Sequence, residues 1–355
     1  MSKKYIIVTG SSGLIGSEAC EFFVNKGFYV LGIDNNFRKK FFGLKGSVLS
    51  RKKELESLKK YYHFSYDIRS TKKIETIFKK YKSKIKSIIH CAAQPSHDWA
   101  KNDPLLDFDI NARSTLNLLI LFKEYCPESS FIYVSTNKVY GDNPNKLDII
   151  EKKNRFELSK KSKFFLKGID ESLSIDNCTH SLFGASKLSA DLYVQEFGKN
   201  FNLNTVCFRG GCLTGENHSG VVLHGFLSYL VKTLVNSEPY EIIGYKGKQV
   251  RDNIYSKDLI NCFWEYFLNP SPGEYYNIGG GRENSCSILE IVDFLQKEYK
   301  SKSEISINYN QRTGDHIWWI TDYSKFKKAY PKWEIKYSLK SIIEKIAQKE
   351  VKNKG

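Results

Sequence analysis

The stretch Gly10-Ser11-Ser12-Gly13-Leu14-Ile15-Gly16 follows directly on the β-branched run Tyr5–Thr9 and opens Ser17–Lys26, whose apolar residues have helical spacing. A strand, a turn with glycine at every third position and a helix make the first half of a βαβ unit, and few folds accommodate such a turn. Gly10 permits the sharp turn, Gly13 lets a bound group approach the main chain, and Gly16 allows helix and strand to pack closely. The N–H groups at the helix start then face an anion, so the loop reads as a pyrophosphate cradle. A second apolar run, Phe28–Ile33, ends in Asp34, a carboxylate that can accept hydrogen bonds from ribose hydroxyls and would repel a 2′-phosphate. The pair reads as a site for NAD rather than NADP, with Asn35 on the same edge. Arg38 argues the other way, because an arginine here can pair with a 2′-phosphate, contact the NAD phosphates, or do neither.

Strand and helix patterns continue to alternate through Ile74–Tyr81, Ser87–Cys91, Thr115–Tyr125 and Phe131–Ser135, which predicts a Rossmann-type, doubly wound parallel sheet of the α/β class. Lys39 to Tyr62 reads as a surface insertion with one amphipathic piece, Glu54–Lys60, and polar Lys152 to Lys167 as a loop. A helix over Ser186–Lys199 and a strand over Thr205–Arg209 return to the sheet. The spacing then predicts a smaller, mixed α/β lobe with a helix at Leu223–Val235, strands at Glu241–Ile243 and Tyr275–Ile278, and helices at Ile288–Tyr299 and Leu339–Glu350. The domain reading is therefore 1–214 for the cofactor domain, with returns near 248–268, and 215–355 mainly for the substrate lobe.

The 355 residues carry a formal charge of +16. The lysines are dispersed in pairs such as Lys79-Lys80 rather than interleaved with aromatics on one motif, so they read as solvated faces and not as a nucleic-acid surface. Their field would help recruit a diphosphate-bearing substrate. No apolar run is long enough to span a membrane, and Met1-Ser2-Lys3-Lys4 leads straight into a strand, which predicts a cytoplasmic protein. The eight cysteines show no metal-ligand spacing, and none of the motifs implies a metal.

Further along, Asp67-Ile68 can meet the adenine, and Ala92-Ala93-Gln94 can line the floor under the cofactor. Together with Thr9–Gly16, with Ser135-Thr136-Asn137-Lys138-Val139-Tyr140-Gly141 and with Phe183-Gly184-Ala185-Ser186-Lys187, these residues resemble the extended short-chain dehydrogenases over nearly the whole chain. The family blocks are TGxxGxxG, AAQ, STxxVYG and YxxxK. A narrower likeness, through Thr136–Asp142, Asp170-Glu171-Ser172, His180-Ser181 and Lys248–Asp252, is to the CDP-paratose (CDP-tyvelose) 2-epimerases. The resemblance implies NAD as cofactor, with Asn111 among its contacts, a nucleotide-diphosphate sugar as substrate, and a homodimer. It also implies roles for Lys187, which binds the nicotinamide ribose, and for Thr136, whose hydroxyl bonds the reacting oxygen. Asn137-Lys138 stand where the related dehydratases carry an Asp-Glu pair, which weakens a water-eliminating reaction.

One departure matters. Phe183 occupies the position of the family's proton-carrying tyrosine and has no hydroxyl to titrate. His180, Cys178 and Lys187 remain as candidates for that proton, and His97 and Asp98, in the loop after the fourth strand, can also face the substrate with Asn137 and Phe183; a lone histidine in a loop is more often a scaffold residue than a base. On the substrate side, Arg251 and Arg312 can each fork onto a diphosphate or pair with an acidic neighbour. Arg209-Gly210-Gly211 reads as a wall that lets the sugar approach, and His224 and Tyr245 can add contacts or simply pack. The expected activity is a 2-epimerase acting on a CDP-linked deoxyhexose. A dehydrogenase or reductase of the same fold, or a non-catalytic sensor, stands as the alternative.

Overall fold

The computed structural model describes residues 3–221, 225–311 and 314–352. Its central element is a parallel sheet of seven strands. Five of them are β1 (Tyr5–Thr9), β2 (Tyr29–Ile33), β3 (Tyr61–Phe64), β4 (Ile85–His90) and β5 (Ser130–Thr136); the others are Asn204–Gly210 and Glu274–Ile278. From one edge the order runs β3, β2, β1, β4, β5, Asn204–Gly210, Glu274–Ile278. Every residue of β1 is buried, as a strand covered on both faces must be, and Thr9 sits in register with Ile33 on one side and His90 on the other. That register brings the carboxyl ends of β1, β2 and β4 level, so the loops after them form one rim.

The chain divides into two units. The first runs to Val139 and includes Leu182–Arg209 and Leu259–Tyr276; the second comprises Tyr140–Ser181, Gly210–Asp258 and the chain from Asn277 onward. The first unit has a core of Ile7, Leu31, Ile88, Leu119, Phe122, Phe131 and Val194, among others. The second unit has its own core, built from helices Phe226–Val235, Ile288–Glu298 and Leu339–Lys352. Ser287 caps the middle one, accepting from the Glu290 N–H while Glu290 reaches back to the Ser287 N–H.

Some elements differ from the sequence reading. The insertion carries two short helices, Arg38–Phe42 and Leu49–Glu56, rather than one piece at Glu54–Lys60, because Phe41 and Leu55 are the residues that reach the interior and the chain must already be extended at Tyr61 to join β2. The segment read as a loop, Lys152 to Lys167, contains half of an antiparallel hairpin, in which Ile149–Glu151 pairs with Phe156–Leu158 across a polar turn. The helix expected from Leu223 is described from Phe226 to Val235, residues 222–224 lying outside the described residues. The helix carrying Lys187 is longer than its periodicity suggests and runs Ser181–Phe201. Among the described residues no helix is long and apolar enough to cross a membrane.

Candidate active site

The glycine loop leaves β1 and enters α1 (Leu14–Asn25). Gly10 has φ +64°, and a Cβ there would stand 2.8 Å from the Ala92 nitrogen; a Cβ on Gly16 would stand 2.1 Å from the Gly10 carbonyl oxygen. Gly13 is bordered only by the Gly10 oxygen, at 3.4 Å, so its face is open to a bound group. Asp34 is fixed from both sides, its Oδ2 accepting from the Ser12 N–H at 3.0 Å and its Oδ1 from the Asn36 N–H at 2.7 Å. Burial raises its carboxyl and these two bonds pull it back. Ser12, Asp34, Asn35, Val48, Leu49 and Lys52 line a cavity of about 60 Å³. The Ser12 Oγ is buried there without a hydrogen-bond partner. An orphaned hydroxyl in a glycine loop, beside a carboxylate held for a ribose, suits a dinucleotide.

The other residues expected around the cofactor fall on the same rim with varied commitments. Arg38 stacks over the Phe42 ring at 4.6 Å, and burial lowers its guanidinium to about 10. Asp67 is forked by Arg69 at 3.0 and 2.7 Å and accepts from Asn35 at 3.3 Å; burial opposes its ionisation, but Arg69 holds its carboxyl below the usual range. Ile68 is turned into the core. The Ala92 N–H donates to Thr9 Oγ1. Gln94 is buried, and its side-chain amide donates to the Ser96 carbonyl and to Asp107.

Asn111 lies in one π-helical turn, Asp109–Arg113, between two α-helical stretches. Its side-chain Oδ1 accepts the Gln94 N–H, and its Nδ2 donates to the Gln94 carbonyl, to Asp107 and to Ser186 Oγ. Lys187, buried one residue on, donates to the Val134 carbonyl of β5 at 2.9 Å and lies over the Tyr133 ring at 4.2 Å. Burial lowers its ammonium to about 8, against the pull of Asp191 and Asp107. Thr136, at the end of β5, accepts the Lys138 N–H at 3.2 Å, and Asn137 beside it is buried. Phe183, one turn before Lys187, is 8% exposed, and the His97 ring meets it edge-on with centroids 4.9 Å apart.

Other expected site residues are used differently. Arg209 is corrected from a sugar contact to a structural ion pair: its fork grips Asp191 at 2.7 and 3.1 Å in the interior, with Tyr275 against its face. Gly210 and Gly211 do not open a sugar wall, since the space a Cβ would take is bordered by Leu213 at 2.9 Å and by Trp319 at 3.2 Å. His180 belongs to the second unit, where its ring nitrogens stand 3.5 and 3.7 Å from Cys178 Sγ; that thiol, raised by burial, donates to the Ile175 carbonyl. Arg251, in the same unit, donates to Asp315 Oδ1 at 2.5 Å and to the Val250 carbonyl. His224 and Arg312 lie outside the described residues. Sequence reasoning misses Asp107, Ser186 and Asp191. Asp107 stands one turn before Asn111 and Asp191 one turn after Lys187, spacings that put each pair on one helix face.

Residues 6–279 match the sequence profile of the NAD dependent epimerase/dehydratase family. The chain is 30% identical over 348 residues to the CDP-paratose 2-epimerase of Salmonella typhi, covering 96% of this chain and 97% of that one. Among solved structures, the UDP-glucuronic acid 4-epimerase of Bacillus cereus with UDP-glucuronic acid and NAD superposes with a TM-score of 0.78 at 23% identity, over 98% of this chain and 99% of that one. A tyrosine-to-phenylalanine mutant of the same enzyme, with UDP-4-deoxy-4-fluoro-glucuronic acid and NAD, gives 0.79 at 24% identity over the same shares. The cofactor is NAD, and the chain belongs to the NAD-dependent epimerase/dehydratase family of nucleotide-sugar enzymes.

Proposed function

We propose that the protein is an NAD-dependent 2-epimerase of a CDP-linked deoxyhexose, of the CDP-paratose/CDP-tyvelose type, passing through a transient keto sugar. The observation that carries the reading is the set Lys187, Asn111 and Thr136, each fixed by its own hydrogen bond, to the Val134 carbonyl, to Ser186 Oγ and from the Lys138 N–H, with amide and ammonium side chains in place of a carboxylate pair at Asn137-Lys138. Such a site favours removal and return of hydrogen at one carbon over elimination of water. The likeness to CDP-paratose 2-epimerase adds the substrate class.

In this reading the glycine loop, Ser12 and Asp34 hold the dinucleotide, and Asn35, Asp67, Ala92 and Ala93 border its adenosine and ribose. When bound, NAD supplies a two-way hydride carrier. Lys187 binds the nicotinamide ribose, Thr136 donates to the reacting oxygen, and Arg251 and Arg312 take the diphosphate. For Arg251 this means sharing or leaving Asp315. Eight cysteines that form no disulfide suit a reducing cytoplasm. Exposed Ile120, Leu192, Tyr193 and Phe201 suit a homodimer.

The test is incubation with CDP-paratose or CDP-tyvelose without added cofactor, followed by proton NMR of the sugar. Interconversion is expected. Release of stoichiometric NADH would instead identify a dehydrogenase. The hydroxyl-free Phe183 favours one further reading, a sensor that binds NAD and nucleotide sugar without turnover, and this predicts tight CDP-sugar binding with no change at any sugar carbon.

A further inference from the structure

Hydride loss from an alcohol carbon leaves a protonated carbonyl unless the hydroxyl proton departs as well, so the missing phenol at position 183 must have a substitute if the site is redox-active. The candidates have different surroundings. The Lys187 ammonium donates to the Val134 carbonyl and is stacked on Tyr133, and it already serves the ribose in the proposed site. The Cys178 thiol donates to a backbone carbonyl within the second unit. His97 makes ring contact with Phe183 within the first unit, its centroid 4.9 Å away and its ring edge-on, which puts an imidazole beside the side chain that stands where the phenol is missing. Its ring is also only partly buried.

The loop that carries His97 is held firmly. His97 is the first residue of helix His97–Asn102, whose N-cap Ser96 accepts the Trp99 N–H. The Ser96 N–H donates to Gln94 Oε1 and the Ser96 carbonyl accepts from Gln94 Nε2, which also donates to Asp107. Asp107 in turn accepts from Asn111, whose amide reaches Ser186, next to Lys187. One chain of buried hydrogen bonds thus ties the loop carrying His97 to the helix carrying Phe183 and Lys187. This is the kind of support that keeps a proton-transfer group in place.

Resting on the redox reading above, we propose that His97 is the proton-transfer residue, replacing the phenol that Phe183 lacks. An imidazole nitrogen of His97 would take the sugar hydroxyl proton as the C–H hydrogen leaves with its electron pair, NAD supplying when bound the two-electron acceptor, so that ketone and imidazolium result. When that hydrogen returns to the opposite face of the carbonyl carbon, the imidazolium would give its proton back to the oxygen. Atoms and charge balance over the cycle without another co-reactant.

The experiment compares wild type, H97Q, F183Y and H97Q/F183Y. Each is mixed with CDP-paratose and with UDP-, dTDP- and GDP-sugars, and bound NADH is followed by its near-ultraviolet absorbance. CDP affinity by calorimetry and the melting temperature are measured alongside. The expected result is that H97Q forms NADH at least about a hundredfold more slowly than wild type, with CDP affinity and melting temperature unchanged. H97Q/F183Y should recover much of the loss, because a phenol is restored beside the gap. A second readout, the histidine ring signals in nitrogen-15 NMR, should show the His97 resonance moving when the reactive nucleotide sugar binds. If wild type forms NADH and H97Q keeps its rate within about threefold, His97 is overturned and the redox reading stands. If wild type neither forms NADH with any of these sugars nor interconverts CDP-paratose and CDP-tyvelose, the redox reading falls and the role of His97 falls with it.

Discussion

Arg209 and Asp191 form a two-pronged ion pair in the interior of the first unit, with Nη2 2.7 Å from Oδ1 and Nε 3.1 Å from Oδ2, at side-chain exposures of 4% and 0%. Ser135 and Gln195 add two further donors to the same carboxylate. Burial works against the charge, yet these partners hold the Asp191 carboxyl below its ordinary range. The pair therefore fastens the helix of Lys187 to the strand Asn204–Gly210.

Removing one member of a buried pair strands the other. Arg209→Leu is expected to cost about 3–5 kcal/mol of stability, seen as a lower urea midpoint, while CDP affinity stays unchanged in conditions where the variant is folded. Loss of CDP affinity at unaltered stability would return Arg209 to the substrate site.

Gly16 is constrained by backbone, because its Cβ would lie 2.1 Å from the Gly10 oxygen and 2.9 Å from the Ser11 Cα. Neither atom can yield without moving the phosphate loop. Gly16→Ala is expected to lose bound NAD, measured by absorbance after desalting. Gly27→Ala serves as the control. It has φ +94° but nothing within 4 Å, so it should retain NAD and lose only about 1–3 kcal/mol to backbone strain.

These contrasts show what is readable in the sequence. The cofactor rim is legible because its signals are local: glycines at fixed spacing, a strand ending in Asp34, and a helix starting at once. The parallel sheet is legible for the same reason, since each strand announces itself by a short apolar run. The Arg209–Asp191 pair is not, because nothing in Arg209-Gly210-Gly211 says which way the guanidinium turns. Gly210 and Gly211 look like room for a sugar, but Leu213 and Trp319 border that room, and Trp319 comes from far along the chain. The hairpin at Ile149–Leu158 is hidden by its lysines, since a short strand pair needs only three residues a side. The contact of His97 with Phe183 also depends on tertiary folding, as the two lie on separate elements.

Lys187 gives the site a pH dependence whose sign can be worked out. Burial brings its folded-state value down to about 8, against 10.5 for the ordinary side chain. Between those values the unfolded chain holds a proton that the folded one has lost, so folding stability rises with pH. Below pH 8 both states are charged, and the full penalty of the buried ammonium applies. The difference in urea-unfolding stability between wild type and Lys187→Met is therefore expected to move in favour of wild type from pH 8 to 10.5, by up to about 3 kcal/mol. A flat difference across that range would mean that Lys187 is solvated in the folded protein.

Asp34 should decide the choice between NAD and NADP. Its oxygens are held by the Ser12 and Asn36 N–H groups, so the carboxylate cannot turn away from a bound ribose without breaking a bond. A 2′-phosphate placed against it would meet a fixed negative charge in a partly buried cavity. Lys52 lines the same cavity and Arg38 lies on the adjoining helix, so cationic groups able to attract that phosphate are present once the carboxylate is removed. Asp34→Ser keeps an acceptor for the ribose and deletes the charge. The ratio of NAD to NADP retained after incubation with an equimolar mixture is expected to fall at least about tenfold in the variant, corresponding to about 1.4 kcal/mol, and less at high salt, where the attraction of Lys52 is screened. An unchanged ratio would show that cofactor choice rests on the shape of the 39–62 insertion rather than on the carboxylate.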